Sequence, residues 1–112
     1  MKYAVPVSGG TLSPHFGHCE QFALFDVEEQ NKEIIKKEFL TSPEHEPGLL
    51  PRWLAEKGVS AVIAGGMGPR AQDIFRENGI SVVLGAMEND PEKAVLSYIN
   101  GTLTIGNNVC DH

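Results

Sequence analysis

Two cysteines, one tryptophan and no long apolar run set the first limits on this 112-residue chain. A membrane-spanning helix needs about 20 consecutive apolar residues, and no segment approaches that length. The opening Met1-Lys2-Tyr3-Ala4-Val5-Pro6-Val7 holds too short an apolar stretch for a secretory signal, so a cytoplasmic protein is expected, with no membrane partner. In that reducing compartment two cysteines read as metal ligands or inert thiols rather than as a disulfide. Positive charge is also scarce: nine Lys and Arg stand against fifteen Asp and Glu, for a net charge of -6. Without a basic stripe, the electrostatic footprint of a nucleic-acid binder is missing. Neither Gly-x-x-x-x-Gly-Lys-Ser/Thr nor Gly-x-Gly-x-x-Gly occurs, which removes the nucleotide-binding fingerprints. Two-metal hydrolysis needs carboxylates clustered in a sheet interior. Here Asp26 falls in an expected strand, while Asp73 and Asp90 fall in helical or loop segments, so no nuclease is indicated.

What remains is ordinary globular composition, 41% hydrophobic and 21% charged, in the size range of one compact domain over residues 1–112. Tyr3 to Val7 reads as a strand, followed by a loop from Ser8 to Cys19 that is rich in breakers. Phe22 to Val27 and Ile34 to Leu40 read as two strands of an antiparallel hairpin, joined through the polar Glu28-Glu29-Gln30-Asn31-Lys32. From Pro47 to Gly58, Leu49, Leu50, Trp53 and Leu54 recur at helical spacing and Gly58 is the stop. Val59 to Ala64 is nearly continuous apolar sequence, the pattern of a strand covered on both faces. A helix from Pro69 to Asn78, a strand from Ile80 to Leu84 and a helix from Pro91 to Asn100 follow, with Gly79 and Gly101 as stops. The expected fold is a three-layer α/β/α domain with a mixed sheet of about five strands, the second-half strands parallel. Residues 102–112 read as a tail, since chain ends fray unless tied down.

Chemistry concentrates in Ser13-Pro14-His15-Phe16-Gly17-His18-Cys19, where two imidazoles and a thiol share a short loop, and in Cys110-Asp111-His112. Only His45 stands apart, between two glutamates and two prolines, and it reads as a solvated loop residue. Thiolate and imidazole suit Zn, Cu, Fe and iron–sulfur or mixed-metal clusters, whereas Mg and Ca want carboxylates. In α/β sheets ligands bind outside the carboxyl ends of the strands, and both the Ser8–Cys19 and Gly65–Pro69 loops leave strands there. Two loops should therefore face one crevice. Gly65-Gly66-Met67-Gly68 before a helix would let backbone N–H groups approach an anion, a phosphate or an anionic metal–sulfide cluster alike. Arg70 would add charge in the first helical turn. The plainer alternative is a tight strand-to-helix turn, with Met67 in the core.

These same residues carry a resemblance. The order strand, Pro14-His15-Phe16-Gly17-His18-Cys19, hairpin, Val62-Ile63-Ala64-Gly65-Gly66-Met67-Gly68, Gly79-Ile80-Ser81-Val82 and the Cys-x-His tail resembles the nitrogenase iron–molybdenum cofactor biosynthesis family over roughly the whole chain. The resemblance implies a ribonuclease H-like motif, with a five-stranded mixed sheet between helices. It also implies a carrier or accessory factor for metal–sulfur clusters containing iron, molybdenum or copper, with His15 as a cluster ligand. Cys19 matches a position where some stand-alone members also have cysteine. His18 stands where the nitrogenase proteins proper often have Arg, which leaves the metal itself open.

The expected metal ligands are thus His15, His18, Cys19, Cys110 and His112, and the expected cofactor-binding residues are His15, Gly65, Gly66, Met67 and Gly68. The partners would be the cluster itself and a cofactor-assembly or acceptor protein, with the chain a monomer or weak homo-oligomer that carries its cargo and catalyses nothing. Two alternatives from other classes stay open: a metal-free interaction or regulatory domain of the same fold, and a small-anion-binding enzyme with Cys19 as nucleophile. For each candidate ligand the plainer role is local. His15 or His18 could bond a loop carbonyl, Cys19 could be a small buried hydrophobe, and Cys110 and His112 could lie in the frayed tail.

Overall fold

The structure is a computed structural model that describes residues 1–13, 20–41, 49–103 and 105–106. Six strands and three helices are formed among them: β1 (Lys2–Ser8), β2 (Thr11–Leu12), β3 (Gln21–Glu28), β4 (Glu33–Thr41), α1 (Leu49–Glu56), β5 (Ala61–Ile63), α2 (Pro69–Glu77), β6 (Ser81–Val83) and α3 (Pro91–Ile99). The sheet runs β4-β3-β1-β5-β6, with β2 paired to β1 off this path. β1 pairs parallel with β5, and β5 parallel with β6. β3 is antiparallel to both β1 and β4. Leaving β2 aside, this is the mixed five-stranded order of the ribonuclease H-like motif expected from the resemblance.

Period-two alternation along the central strands divides the core into two layers. Ala4, Phe22, Leu24 and Val62 pack with Leu50 and Leu54 of α1 and Phe75 of α2. Tyr3, Val5, Val7, Ala23, Phe25, Ala61 and Ile63 pack with Ala94 and Val95 of α3 on the other face. β1 from Tyr3 to Val7 and β5 along its whole length carry buried, mainly apolar residues because both their faces are covered. Trp53 is only half-buried; its ring lies 5.8 Å from that of Phe22, and the Lys57 ammonium sits over it at 5.6 Å.

All three helices end with the same bond, in which the amide after a glycine reaches the carbonyl five residues back: Val59 to Leu54, Ile80 to Phe75 and Thr102 to Ser97. Gly79, with φ 75°, makes this reversal after α2 at no steric cost. α3 starts from the other helical signal: the Asp90 carboxylate accepts from the amides of Glu92 (2.9 Å) and Lys93 (3.2 Å) with Pro91 following.

β2 corrects the expectation that the segment after Ser8 is all loop, and adds a short strand to the expected sheet of about five. After Ser8 the chain turns through Gly9 (φ 61°) and Gly10 (φ 83°) and pairs back on β1, Val7 opposite Leu12 and Ser8 opposite Thr11. Two consecutive positive φ values make the two-residue hairpin that suits strand twist. Gly-Gly is a known hairpin signal, but a two-residue return strand is too short to show a period.

Of the terminal segment, Thr102, Ile105 and Gly106 are described and tied down. The Thr102 amide bonds Ser97, Ile105 bridges Ala86, and the Gly106 amide donates to the Gly85 carbonyl at 2.6 Å. Residues 107–112 lie outside the described residues.

The Asp90 cap generates a test. Asp90→Ala should lower unfolding free energy by about 1 kcal/mol, read as a reduced urea midpoint with an unchanged slope, because the two amides at the start of α3 lose their acceptor.

Candidate functional site

The parallel β1–β5 pairing, Tyr3 with Ala61 and Ala4 with Val62, places Val7 level with Gly65 when the register is continued. The carboxyl ends of β1, β5 and β6 therefore share one edge. Three further bonds knit that edge together: Ala64 N–H to Val83 (2.9 Å), Gly85 N–H to Gly65 (3.0 Å) and Ala86 N–H to Ala64 (3.2 Å).

On this edge Gly65-Gly66-Met67-Gly68 leads from β5 into α2. Gly68 is the residue before the helix, at φ -66° and ψ 154°, and no side chain caps the helix start. A Cβ built on Gly68 would meet nothing within 4 Å, so a side chain has room at that position. Among the described residues, the Gly66 and Gly68 amides meet no acceptor. The α2 N-terminus thus combines uncapped donors with the positive end of the helix dipole, and Arg70 is exposed in its first turn. Met67 is only 1% exposed and packs with Phe75 and Leu54 in the α1–α2 layer. Its thioether belongs to the core, so a ligand at this loop would meet its backbone. Gln72 Nε2 donates to the Met67 carbonyl at 2.9 Å and pins the loop to α2.

The residues bracketing 14–19 are held at the same edge. Ser13, 2% exposed, donates its amide to Pro6 at 2.8 Å. Glu20 donates its amide to the Val7 carbonyl at 3.0 Å and approaches Ser8 Oγ at 3.3 Å. The expected ligands His15, His18 and Cys19, and equally Cys110, His112 and His45, lie outside the described residues. Among the described residues no group of three or more His, Cys, Asp or Glu could hold a metal ion, and no helix is long and apolar enough to cross a membrane.

A hollow of about 400 Å³ at the other end of β1 is lined by Tyr3, Val27, Glu29, Lys32, Tyr98 and Ile99. Burial, and then Tyr98 and Glu29, push the Tyr3 phenol above its usual range, so it stays neutral. It lies away from the glycine loop, with its hydroxyl donating to Met1 Sδ at 3.3 Å.

With the geometry in place, a family model described as dinitrogenase iron-molybdenum cofactor matches residues 1–101. The chain belongs to that family. Its similarity to the uncharacterized protein MJ0580 of Methanocaldococcus jannaschii is 36% identity over 85 residues, 73% of this chain and 72% of that one. A crystal structure of PH0822 superposes with a TM-score of 0.86 at 30% identity, over 94% of both chains. The apo form of the orange protein from Desulfovibrio gigas gives a TM-score of 0.73 at 22% identity, over 96% of this chain and 93% of that one; that likeness is one of fold. The dinitrogenase cofactor family resemblance read from the His-Phe-Gly loop and the Gly-Gly-x-Gly turn therefore holds.

Sequence reading missed the part played by Gly85 and Gly106. Gly85 has φ 76°, and a Cβ there would overlap the Gly106 carbonyl oxygen and crowd Ile105. Its only sequence signal is a glycine just past the Ile80–Leu84 strand, which also marks an ordinary turn. Gly85→Ala should cost about 1–2 kcal/mol from the left-handed backbone alone. It should also strip hydrogen-exchange protection from the Gly106 amide while the Ala61–Ile63 amides keep theirs.

Proposed function

We propose that this member of the dinitrogenase iron-molybdenum cofactor family binds and carries a metal or metal–sulfide cluster, containing iron, molybdenum or copper, and hands it to a cofactor-assembly or acceptor protein. The observation that supports this most is the shared edge. The uncapped Gly65–Gly68 turn lies beside Ser13 and Glu20, the two anchors that bracket His15, His18 and Cys19 in sequence. In this reading the imidazoles and the thiolate bind the soft metal, and the loop amides with the α2 dipole balance the negative charge of sulfide or oxide. Cys110 is four residues beyond Gly106, which bonds Gly85 on the same edge. Cys110 and His112 join the candidate ligands on their residue chemistry. The family description supports the cargo class.

Protein purified without oxygen, or reconstituted with iron, sulfide and molybdate or copper, should show thiolate-to-metal charge-transfer absorption and keep stoichiometric metal through desalting. His15→Ala should weaken retention by about 10-fold or more, the scale that even outer-shell partners of a metal reach. His45→Ala should leave it unchanged, and neither should move the melting temperature. Equal retention by both variants removes His15 as a ligand, and failure to retain any of these metals favours a metal-free interaction domain.

The glycine turn has its own test. Gly68→Asp fits the observed φ and ψ, enters open space and supplies the missing helix cap, so stability should hold or rise by a few tenths of a kcal/mol. The new carboxylate would stand where the anion sits, so the same folded variant should lose cluster affinity. Unaltered affinity would show that this turn does not face the cargo.

A further inference from the structure

The two edges of the sheet are treated differently. At one, β6 is three residues long and is followed by Gly85 and Ala86, which are covered by Gly106 and Ile105. Short or covered strands are the usual way of blunting an edge. At the other, β4 is nine residues long, pairs among the described residues only with β3, and is exposed along most of its length. It presents Ile35 at 67% and Phe39 at 49% exposure. A long open edge with large apolar side chains is a template for another strand.

We propose that the strand completing this edge is β4 of a second copy of the chain, paired antiparallel about a two-fold axis through Lys37. The sequence Glu33-Ile34-Ile35-Lys36-Lys37-Glu38-Phe39-Leu40-Thr41 is complementary to itself in that register. Residue numbers of opposed positions then sum to 74, which sets Lys36 against Glu38 of the partner copy, twice, on either side of Lys37. Within the regular stretch beyond the bulge at Ile35, Lys37 and Phe39 lie on one face of the strand and Lys36 and Glu38 on the other. The two ion pairs therefore form on the face opposite Phe39. Opposite-charge cross-strand pairs stabilise sheets.

Lys37, which would face its own copy on the axis, is already neutralised. Its ammonium lies 3.2 Å from the Glu92 carboxylate at the start of α3. The ladder irregularity opposite Asp26 and Val27 lies at Ile34 and Ile35, so positions 36 to 41 continue as regular strand. A one-residue slip one way puts Lys36 against Lys37, and the other way sets Lys37 against Glu38 but Lys36 against Phe39; either slip also turns the partner's two faces over, so face and charge together select the register. An isologous contact of this kind closes on itself and ends at two copies. The joined edge lies away from the glycine turn, which stays open in both copies, so the inference is independent of the cargo reading.

Sedimentation velocity across a concentration series should show a reversible monomer–dimer equilibrium of the full chain. Lys36→Glu opposes two carboxylates at each of two sites and should weaken dimerisation by about 10-fold or more, one such factor being 1.4 kcal/mol. Lys36→Glu combined with Glu38→Lys restores opposite charges and should return the dimer to near the parent affinity. All these positions are exposed, and circular dichroism should show the same fold throughout. A chain that stays monomeric at a concentration on the order of 1 mM overturns the proposal. So does a dimer whose affinity ignores both the single and the paired charge changes.

Discussion

The parallel pairing of β1 with β5 is the constraint from which the rest follows. It joins the first strand of the chain to one more than fifty residues away, Tyr3 to Ala61 and Ala4 to Val62. Parallel strands cannot be joined by a tight turn, so the β3–β4 hairpin and α1 are spent between them. Because both strands then sit in the middle of the sheet, the side chains from Tyr3 to Val7 and from Ala61 to Ile63 need an apolar cover. α1 and α2 supply it on one face and α3 on the other. The same pairing brings the loops after β1, β5 and β6 to one edge. A shift of this register would separate the Gly65 turn from the Ser13 and Glu20 anchors and turn the strand's core faces over at once.

The site edge contrasts with the core beneath it. Side chains are absent where three loops meet: Gly65, Gly85 and Gly106 are linked in series by hydrogen bonds of 3.0 and 2.6 Å. Around that seam the backbone donors of the α2 N-terminus are left without a side-chain cap, while the N-terminus of α3 has Asp90 as its cap. Two helices that both begin with proline thus end up with different chemistry in front of them. The difference rests on a single preceding residue, glycine in one and aspartate in the other. For an anionic cargo the first arrangement is receptive and the second is already filled.

Much of the fold was legible because the local signals agreed with one another. Proline starts and glycine stops bounded α2 and α3 to within a residue, and the polar run Glu28–Lys32 made a hairpin of its flanks, with the Glu28 carboxylate accepting the Asn31 amide at 2.6 Å. The unbroken apolar run before Gly65 announced a central strand. Legibility failed where the cause was not local. Thr11–Leu12 has no period of its own and is a strand only because β1 offers it partners. Met67 reads equally as a soft wall for a crevice or as core, and packing against Phe75 decides for core. The candidate ligands His15, His18, Cys19, Cys110 and His112 stand on residue chemistry and family membership, since those positions lie outside the described residues.

By itself, then, the sequence determined the type and order of the elements other than β2, the three-layer architecture and the family, since periodicity, caps and breakers act over a few residues and were mutually consistent. It also named the kind of chemistry on offer, soft ligands and glycine amides. Only the tertiary structure decided which loops share an edge, that Gly106 closes against Gly85, and that β6 is covered while β4 is left open. These are contacts between residues far apart in the chain, and their registers are set by the mutual burial of two apolar faces, which no short stretch of sequence contains.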